Sequence, residues 1–151
     1  KKELQNQVLE FIKKIYSELP EYTSELIPEL DFDIIDIEKN YKKADGEFFI
    51  MTDDKNIIGT VGILKNNDNF IIKRLFLSKD FRGKGLGKKL INKAISFCKD
   101  SGSLNIYIDT GNEKIRNYYL KNGFEQVSNT GNLYNLKYKL QPKAIAFGGN
   151  T

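Results

Sequence analysis

The sequence predicts an α/β domain built on a mixed, mostly antiparallel sheet, and three observations predict it. Two β-branched and aromatic runs flank the turn Thr52-Asp53-Asp54-Lys55-Asn56, helical periodicity brackets the strands, and a glycine-rich loop joins a strand to a long helix. At 151 residues the chain fits one ordinary domain, expected over residues 1–141, with a tail over 142–151.

The elements follow in order. Leu4, Val8, Phe11, Ile12, Ile15 and Leu19 recur at three- and four-residue steps, which predicts an amphipathic helix over 3–19 ending before Pro20. Residues 21–30, with Pro28, read as irregular, and Ile34, Ile37 and Tyr41 predict a short helix opening near Asp33 as N-cap. Residues 47–51 and 57–64 predict a hairpin, Asn66-Asn67-Asp68-Asn69 a second turn, and 70–77 a third antiparallel strand. Leu86, Leu90, Ile91, Ala94, Ile95, Phe97 and Cys98 mark a long helix closed by Ser101-Gly102. Residues 104–108 predict a strand buried on both faces, and a right-handed crossover through the helix makes it parallel to the strand at 70–77. Residues 112–122 predict another helix, stopped by Gly123, and 124–127 with 133–140 a final hairpin.

Composition narrows the chemistry. The absence of histidine excludes triads that use imidazole as base and the usual zinc hydrolase sites, so proton transfer falls to Tyr, Asp, Glu, Lys or water and no metal is expected. The single cysteine, Cys98, allows no internal disulfide and lies on the apolar side of its helix, as a core residue would. A net charge of +4 comes from lysines spread along the chain, which favours solubility over a nucleic-acid footprint. The apolar runs are too short to cross a bilayer and no segment reads as a secretory signal, so a cytoplasmic protein without a membrane partner is expected.

The chemically informative segment is Arg82-Gly83-Lys84-Gly85-Leu86-Gly87-Lys88, between a strand and the long helix. Glycines let the backbone turn sharply and aim several N–H groups one way, and the helix N-terminus adds partial positive charge. Such a turn suits a pyrophosphate; the plainer reading is a basic turn and helix cap. It fits neither of two familiar phosphate motifs, because Lys89 stands where a Walker loop has Ser or Thr and Lys88 where a dinucleotide fingerprint has Gly.

The strand Leu75-Phe76-Leu77 followed by Arg82-Gly83-Lys84-Gly85-Leu86-Gly87 resembles the acetyl-CoA signature of the GCN5-related N-acetyltransferase (GNAT) family. That pattern, Arg or Gln, two residues, Gly, one residue, then Gly or Ala, is met at positions 82, 85 and 87. Downstream, Tyr119-Leu120-Lys121-Asn122-Gly123-Phe124, in a helix opened by Asn112, resembles the family's Tyr-x-Lys-x-Gly-Phe ending. The resemblance covers about residues 4–140. It implies a three-layer α/β/α fold with a splayed parallel pair in the centre of the sheet. It also implies an acyl-CoA N-acyltransferase that moves an acetyl group from acetyl-CoA to an amine by direct attack.

By the same resemblance, amides of Gly83, Gly85, Gly87 and Lys88, with Arg82 and Lys84 nearby, would hold the pyrophosphate. Leu75, Phe76 and Leu77 would present amides to the thioester and pantetheine, and Asn112 would reach the pantetheine arm. Tyr119 would protonate the departing thiolate, since a phenol with pKa near ~10 suits a thiol near ~8.5; its plainer reading is an aromatic core residue. The glutamate many relatives carry before the loop falls at Ile71, position 115 is Ile where relatives often have Ala, and family members usually begin with a strand ahead of the first helix.

Asp109, at the end of the second parallel strand, is the candidate base or amine anchor, or else a strand-end cap. Asp31, Asp33 and Asp36 either attract a cationic amine or form a solvated helix start. The expected acceptor is a primary amine of a small molecule or amino acid. A protein or peptide amine is the alternative, because acceptor residues lie on variable loops, here 21–41 and 128–132. A non-catalytic acyl-CoA-binding module is the rival from another class. The oligomeric expectation is monomer or homodimer.

Overall fold

The computed structural model describes residues 2–19, 25–140 and 146–148, so most of the predicted tail and the start of the 21–41 loop lie outside the described residues. Contacts divide the chain into two units, Lys1–Lys65 with Ile72–Ala94, and Asn66–Ile71 with Ile95–Thr151.

In the first unit, α1 (Lys2–Ser17) buries Val8, Phe11, Ile12, Ile15 and Tyr16, the stripe its periodicity predicts. Each such aliphatic side chain contributes roughly 1.5–3 kcal/mol on burial. The second helix, α2 (Pro28–Ile35), opens earlier than the expected Asp33. Pro28 initiates it instead of breaking the chain, because at the first helical position its fixed φ is already suitable and its missing N–H is no loss. Ile27 provides no side-chain cap, and its amide donates to the Asp31 carboxylate at 2.8 Å. A single π turn, Glu38–Lys42, follows. Gln5 joins α1 to the end of α2, its Nε2 donating to the Ile34 carbonyl at 2.6 Å and its Oε1 accepting from the Ile37 amide at 2.9 Å.

The predicted hairpin is present as β1 (Glu47–Asp53) and β2 (Asn56–Asn66), antiparallel, with a register shift between Met51 and Thr52. The third strand is β3 (Asn69–Leu77) and the long helix is α3 (Leu86–Asp100). Consecutive residues of a strand point to opposite faces. Phe76 meets Tyr16 of α1 edge-on at 6.0 Å, whereas Leu77 lies on the side of Leu90 in α3. Helices therefore cover both faces of this unit's strands. Gly59 permits the α3 side: a Cβ there would sit 2.9 Å from Leu90 Cδ1 and 3.2 Å from the Phe76 carbonyl oxygen.

In the second unit, the start of β3 pairs in parallel with β4 (Asn105–Thr110) at Phe70 with Ile106 and Ile71 with Tyr107. β4 runs on to Thr110 antiparallel to β6 (Leu133–Lys139), which pairs outward with β5 (Glu125–Thr130). The six strands lie in the order β1-β2-β3-β4-β6-β5, a mixed sheet with one parallel pair. Against expectation, Leu104 precedes β4 and is 58% exposed, and only Ile106 and Ile108 are buried, with Tyr107 half-covered on the other face. The helix α4 (Glu113–Lys121) packs on β4, β5 and β6. Gly102, at φ +77°, closes α3 as expected of a left-handed stop.

Candidate functional site

Leu75, Phe76, Leu77 and the run 82–88 all lie in the first unit, along one continuous path from β3 through a single 3-10 turn, Lys79–Phe81, into α3. Gly83 and Gly85 both have φ of +78°, and a Cβ at either would touch nothing within 4 Å. Their requirement is therefore conformational: another residue would be held in the left-handed region at a cost of about 1–2 kcal/mol. Leu86, Gly87 and Lys88 form the first turn of α3, where helix geometry leaves amides without an intrahelical acceptor. Lys89 bonds back to the Gly85 carbonyl, at 3.3 Å.

The cations of the loop also serve the scaffold. Arg82 Nε donates to the Leu77 carbonyl at 2.9 Å, fastening the loop to the strand end, and the Lys84 ammonium stands 5.4 Å from the centre of the Phe81 ring. A groove of about 550 Å³ in this unit, lined by Leu4, Val8, Leu9, Ile37, Phe48 and Ile50 among others, includes Asp36 but none of the residues expected to hold acetyl-CoA or to move its acetyl group.

Asp109, Asn112 and Tyr119 lie in the second unit. Asn112 is the N-cap of α4, its Oδ1 accepting from the Ile115 amide at 3.1 Å; Ile115, where relatives often have Ala, is 45% exposed. Tyr119 is buried, with Phe124 at 5.2 Å and Tyr118 at 6.1 Å between ring centres. Burial, and then the neighbouring Tyr118, push its hydroxyl well above the ordinary phenol range, so it stays protonated at neutral pH. Asp109 pairs across the ladder with Asn135, whose Nδ2 donates to Asp109 Oδ1 at 2.7 Å. The Asn135 oxygen accepts from Ser128 at 2.9 Å and Thr130 at 2.7 Å, which fixes the amide with its nitrogen toward the carboxylate. Ile71 is a rung of the parallel ladder and offers no proton acceptor.

Asp31 and Asp33 fit neither expectation. Both are buried and face Arg74 of β3, with Arg74 Nη1 3.0 Å from Asp31 Oδ1 and Nη2 2.7 Å from Asp33 Oδ1. Nε adds a second bond to Asp33 at 3.0 Å, a two-pronged contact. Arg74 also donates to the Tyr16 hydroxyl, which donates to Asp31 at 3.0 Å, while Tyr41 donates to Asp33 at 2.5 Å. For Asp33, burial works upward, but bonds from Arg74 and Tyr41 and the charges of Arg74 and Lys73 outweigh it and hold the carboxyl low. The Tyr16 phenol is pushed up to about 12, chiefly by burial. Arg74 escaped sequence reasoning; the available signal was an arginine beside Lys73 in the otherwise apolar run 70–77, with Asp31 and Asp33 alternating with apolar residues earlier in the chain. Cys98 is buried and its thiol raised to about 12 by that burial, so it is inert at neutral pH.

The mixed sheet with one parallel pair, helices on its faces and a glycine-rich turn into a helix define an acyltransferase-type α/β fold. The acetyltransferase (GNAT) family matches residues 12–124, and the chain belongs to it. A probable N-acetyltransferase, camello, of Xenopus tropicalis is 28% identical over 100 residues, 62% of this chain and 46% of the relative. The chain thus spans about half the length of the curated relatives it matches. A GNAT-family acetyltransferase from Staphylococcus aureus superimposes with a TM-score of 0.78 at 26% identity, covering 93% of this chain and 96% of the other. The PaiA N-acetyltransferase of Thermoplasma acidophilum, solved with coenzyme A, shares the fold at TM-score 0.67 and 19% identity, covering 91% of each chain.

Proposed function

We propose that this chain transfers an acetyl group from acetyl-CoA to a primary amine of a small molecule or amino acid, with acetyl-CoA as co-substrate. The observation that carries the reading is the pair of left-handed glycines, Gly83 and Gly85, leading into the open first turn of α3. Amides of Gly83, Gly85, Gly87 and Lys88 suit a diphosphate, with Arg82 and Lys84 adding charge around them. Coenzyme A bound to the Thermoplasma protein of the same fold supports this choice of co-substrate.

Leu75, Phe76 and Leu77 would present main-chain N–H groups to the thioester carbonyl and the pantetheine, and a donor aimed where negative charge develops favours the reaction. Asn112 would contribute through the start of α4. Tyr119 would give its proton to the departing thiolate; its burial keeps the proton in place for that step. Asp109, oriented by Asn135, would take a proton from the acceptor amine or anchor its ammonium form. A peptide amine remains the alternative acceptor.

A specific observation favours one rival, a non-catalytic acyl-CoA binder: Ile71 stands where a base is usual, inside the strand ladder. Two measurements decide. Calorimetry should detect CoA binding, weakened about tenfold or more in Gly85→Val, and no CoA binding at near-millimolar concentration would defeat the proposal. An acetyl-CoA consumption screen over amino acids, polyamines, aminoglycosides and peptides should find an acceptor whose turnover falls at least tenfold in Tyr119→Phe while CoA affinity is kept. A screen without turnover in the wild type would leave the binding module.

A further inference from the structure

Among the described residues that are not glycine, Asp45, Asp54, Asn67 and Arg74 have positive φ. The first three are Asp or Asn outside or at the ends of strands, residue types that tolerate this region. Arg74, at φ +57°, is inside β3 and immediately precedes Leu75. A left-handed residue within an extended strand bends it and redirects the peptide groups that follow. An arginine has no intrinsic preference for that conformation, so the surroundings must impose it.

The surroundings hold it at both ends. The Arg74 carbonyl accepts from Thr60 Oγ1 at 2.8 Å, and Thr60 is fully buried in β2. Its guanidinium is bound by Asp33 at two points, by Asp31, by the Tyr16 hydroxyl and by the Leu30 carbonyl at 3.1 Å. Those partners come from α1 and α2, and Tyr41 of the π turn bonds Asp33 in turn. Every partner belongs to the first unit, as do Leu75 and Leu77.

We propose that Arg74 is a positioning residue: its buried pairing with Asp31 and Asp33 locks the left-handed turn in β3 and thereby sets the directions of the Leu75 and Leu77 amides that meet the acyl thioester. The inference rests on the acyl-CoA reading above, and it assigns Asp31 and Asp33 to the scaffold of the donor side instead of to capture of a cationic acceptor.

The test separates backbone geometry from charge. In the Asp31→Asn/Asp33→Asn background no buried carboxylate is left unpaired when Arg74 is replaced. That parent has lost the pairing and should itself lose kcat at least threefold against the wild type, equal kcat overturning the inference. Arg74→Gly in it, which accepts positive φ freely, should keep or regain kcat relative to the parent, whereas Arg74→Val, which resists positive φ, should lose at least tenfold. Both variants should still bind CoA, because the pyrophosphate loop is untouched, with any weakening in the Val variant limited to the pantetheine contacts of Leu75 and Leu77. A merely structural role predicts equal kcat for the two variants at matched folded fraction by circular dichroism, and that result overturns the inference. Amide resonances give a readout independent of turnover: Leu75 and Leu77 should shift on acetyl-CoA addition in the Gly variant as in the wild type, and differently in the Val variant. Identical shifts in both variants overturn the inference even where no acceptor is found, while absence of CoA binding in the wild type overturns the acyl-CoA reading itself.

Discussion

Asp33 has no solvent exposure and receives both prongs of the Arg74 guanidinium and the Tyr41 hydroxyl, whereas Asp109 is exposed at the end of β4 and receives one amide N–H from Asn135. The same side chain is thus used in two ways. Around Asp33 every oxygen is committed and the carboxyl is held low, so it has little capacity to exchange a proton near neutrality. Around Asp109 the neighbours orient one oxygen and leave the group open to water. A carboxylate suited to proton transfer or amine binding is one that is oriented without being neutralised, and a carboxylate that shapes a strand is one whose charge is fully answered.

The largest expected effect comes from breaking the buried side of this contrast. Asp33→Ala leaves the Arg74 guanidinium, 12% exposed, without its main partner, and breaking such a pair costs about 3–5 kcal/mol. Urea unfolding should show the midpoint falling accordingly. Replacing Arg74 by Met together with Asp31→Asn and Asp33→Asn should recover part of the loss, since no unpaired charge remains buried. A single Asp33→Ala variant as stable as the wild type would remove the distinction.

Next in size is the pH response of the same cluster. The Asp33 pKa is depressed on folding, so its contribution is present above the unfolded carboxylate value and is lost as pH falls through the lower folded one. Tyr16 moves the other way: from an ordinary 10 it is raised to about 12, so its contribution is complete below pH 10 and is lost as pH rises from there through about 12. Melting temperature against pH should therefore be flat near neutrality and fall at both extremes. Tyr16→Phe should shallow the alkaline fall and leave the acid one, and an unchanged alkaline limb would contradict the burial ascribed to this phenol.

Much of this arrangement is legible in the sequence, and the illegible parts share a cause. Periodicity and turn residues locate α1, both hairpins, the parallel crossover and α3, because those signals are local. The glycine loop is legible because left-handed backbone demands glycine whatever surrounds it. The start of α2 is not, since Pro28 is equally a breaker and a first residue and only the bond from Ile27 to Asp31 decides between them. Arg74 is not, because the groups that bond it lie 14 to 58 residues away in sequence. Asn135 is missed for the same reason: its role depends on a register that aligns it with Asp109 and Ser128 across three strands.

The smallest stability effect is expected where the proposed chemistry is greatest. Asp109→Asn removes an exposed charge held by one hydrogen bond, so its stability should stay within about 0.5 kcal/mol of the wild type. Its turnover on an identified amine should nevertheless fall at least tenfold, with the loss in kcat if the carboxylate accepts a proton and in KM if it anchors an ammonium group. Asn135→Leu would sharpen the assignment, because it keeps the carboxylate and removes the N–H that orients it, together with the amide oxygen that Ser128 and Thr130 bond. An intermediate loss of turnover with unchanged CoA affinity would place Asn135 behind Asp109 in the same function. Full activity in both variants would return Asp109 to a strand-end cap and leave the acceptor proton to water.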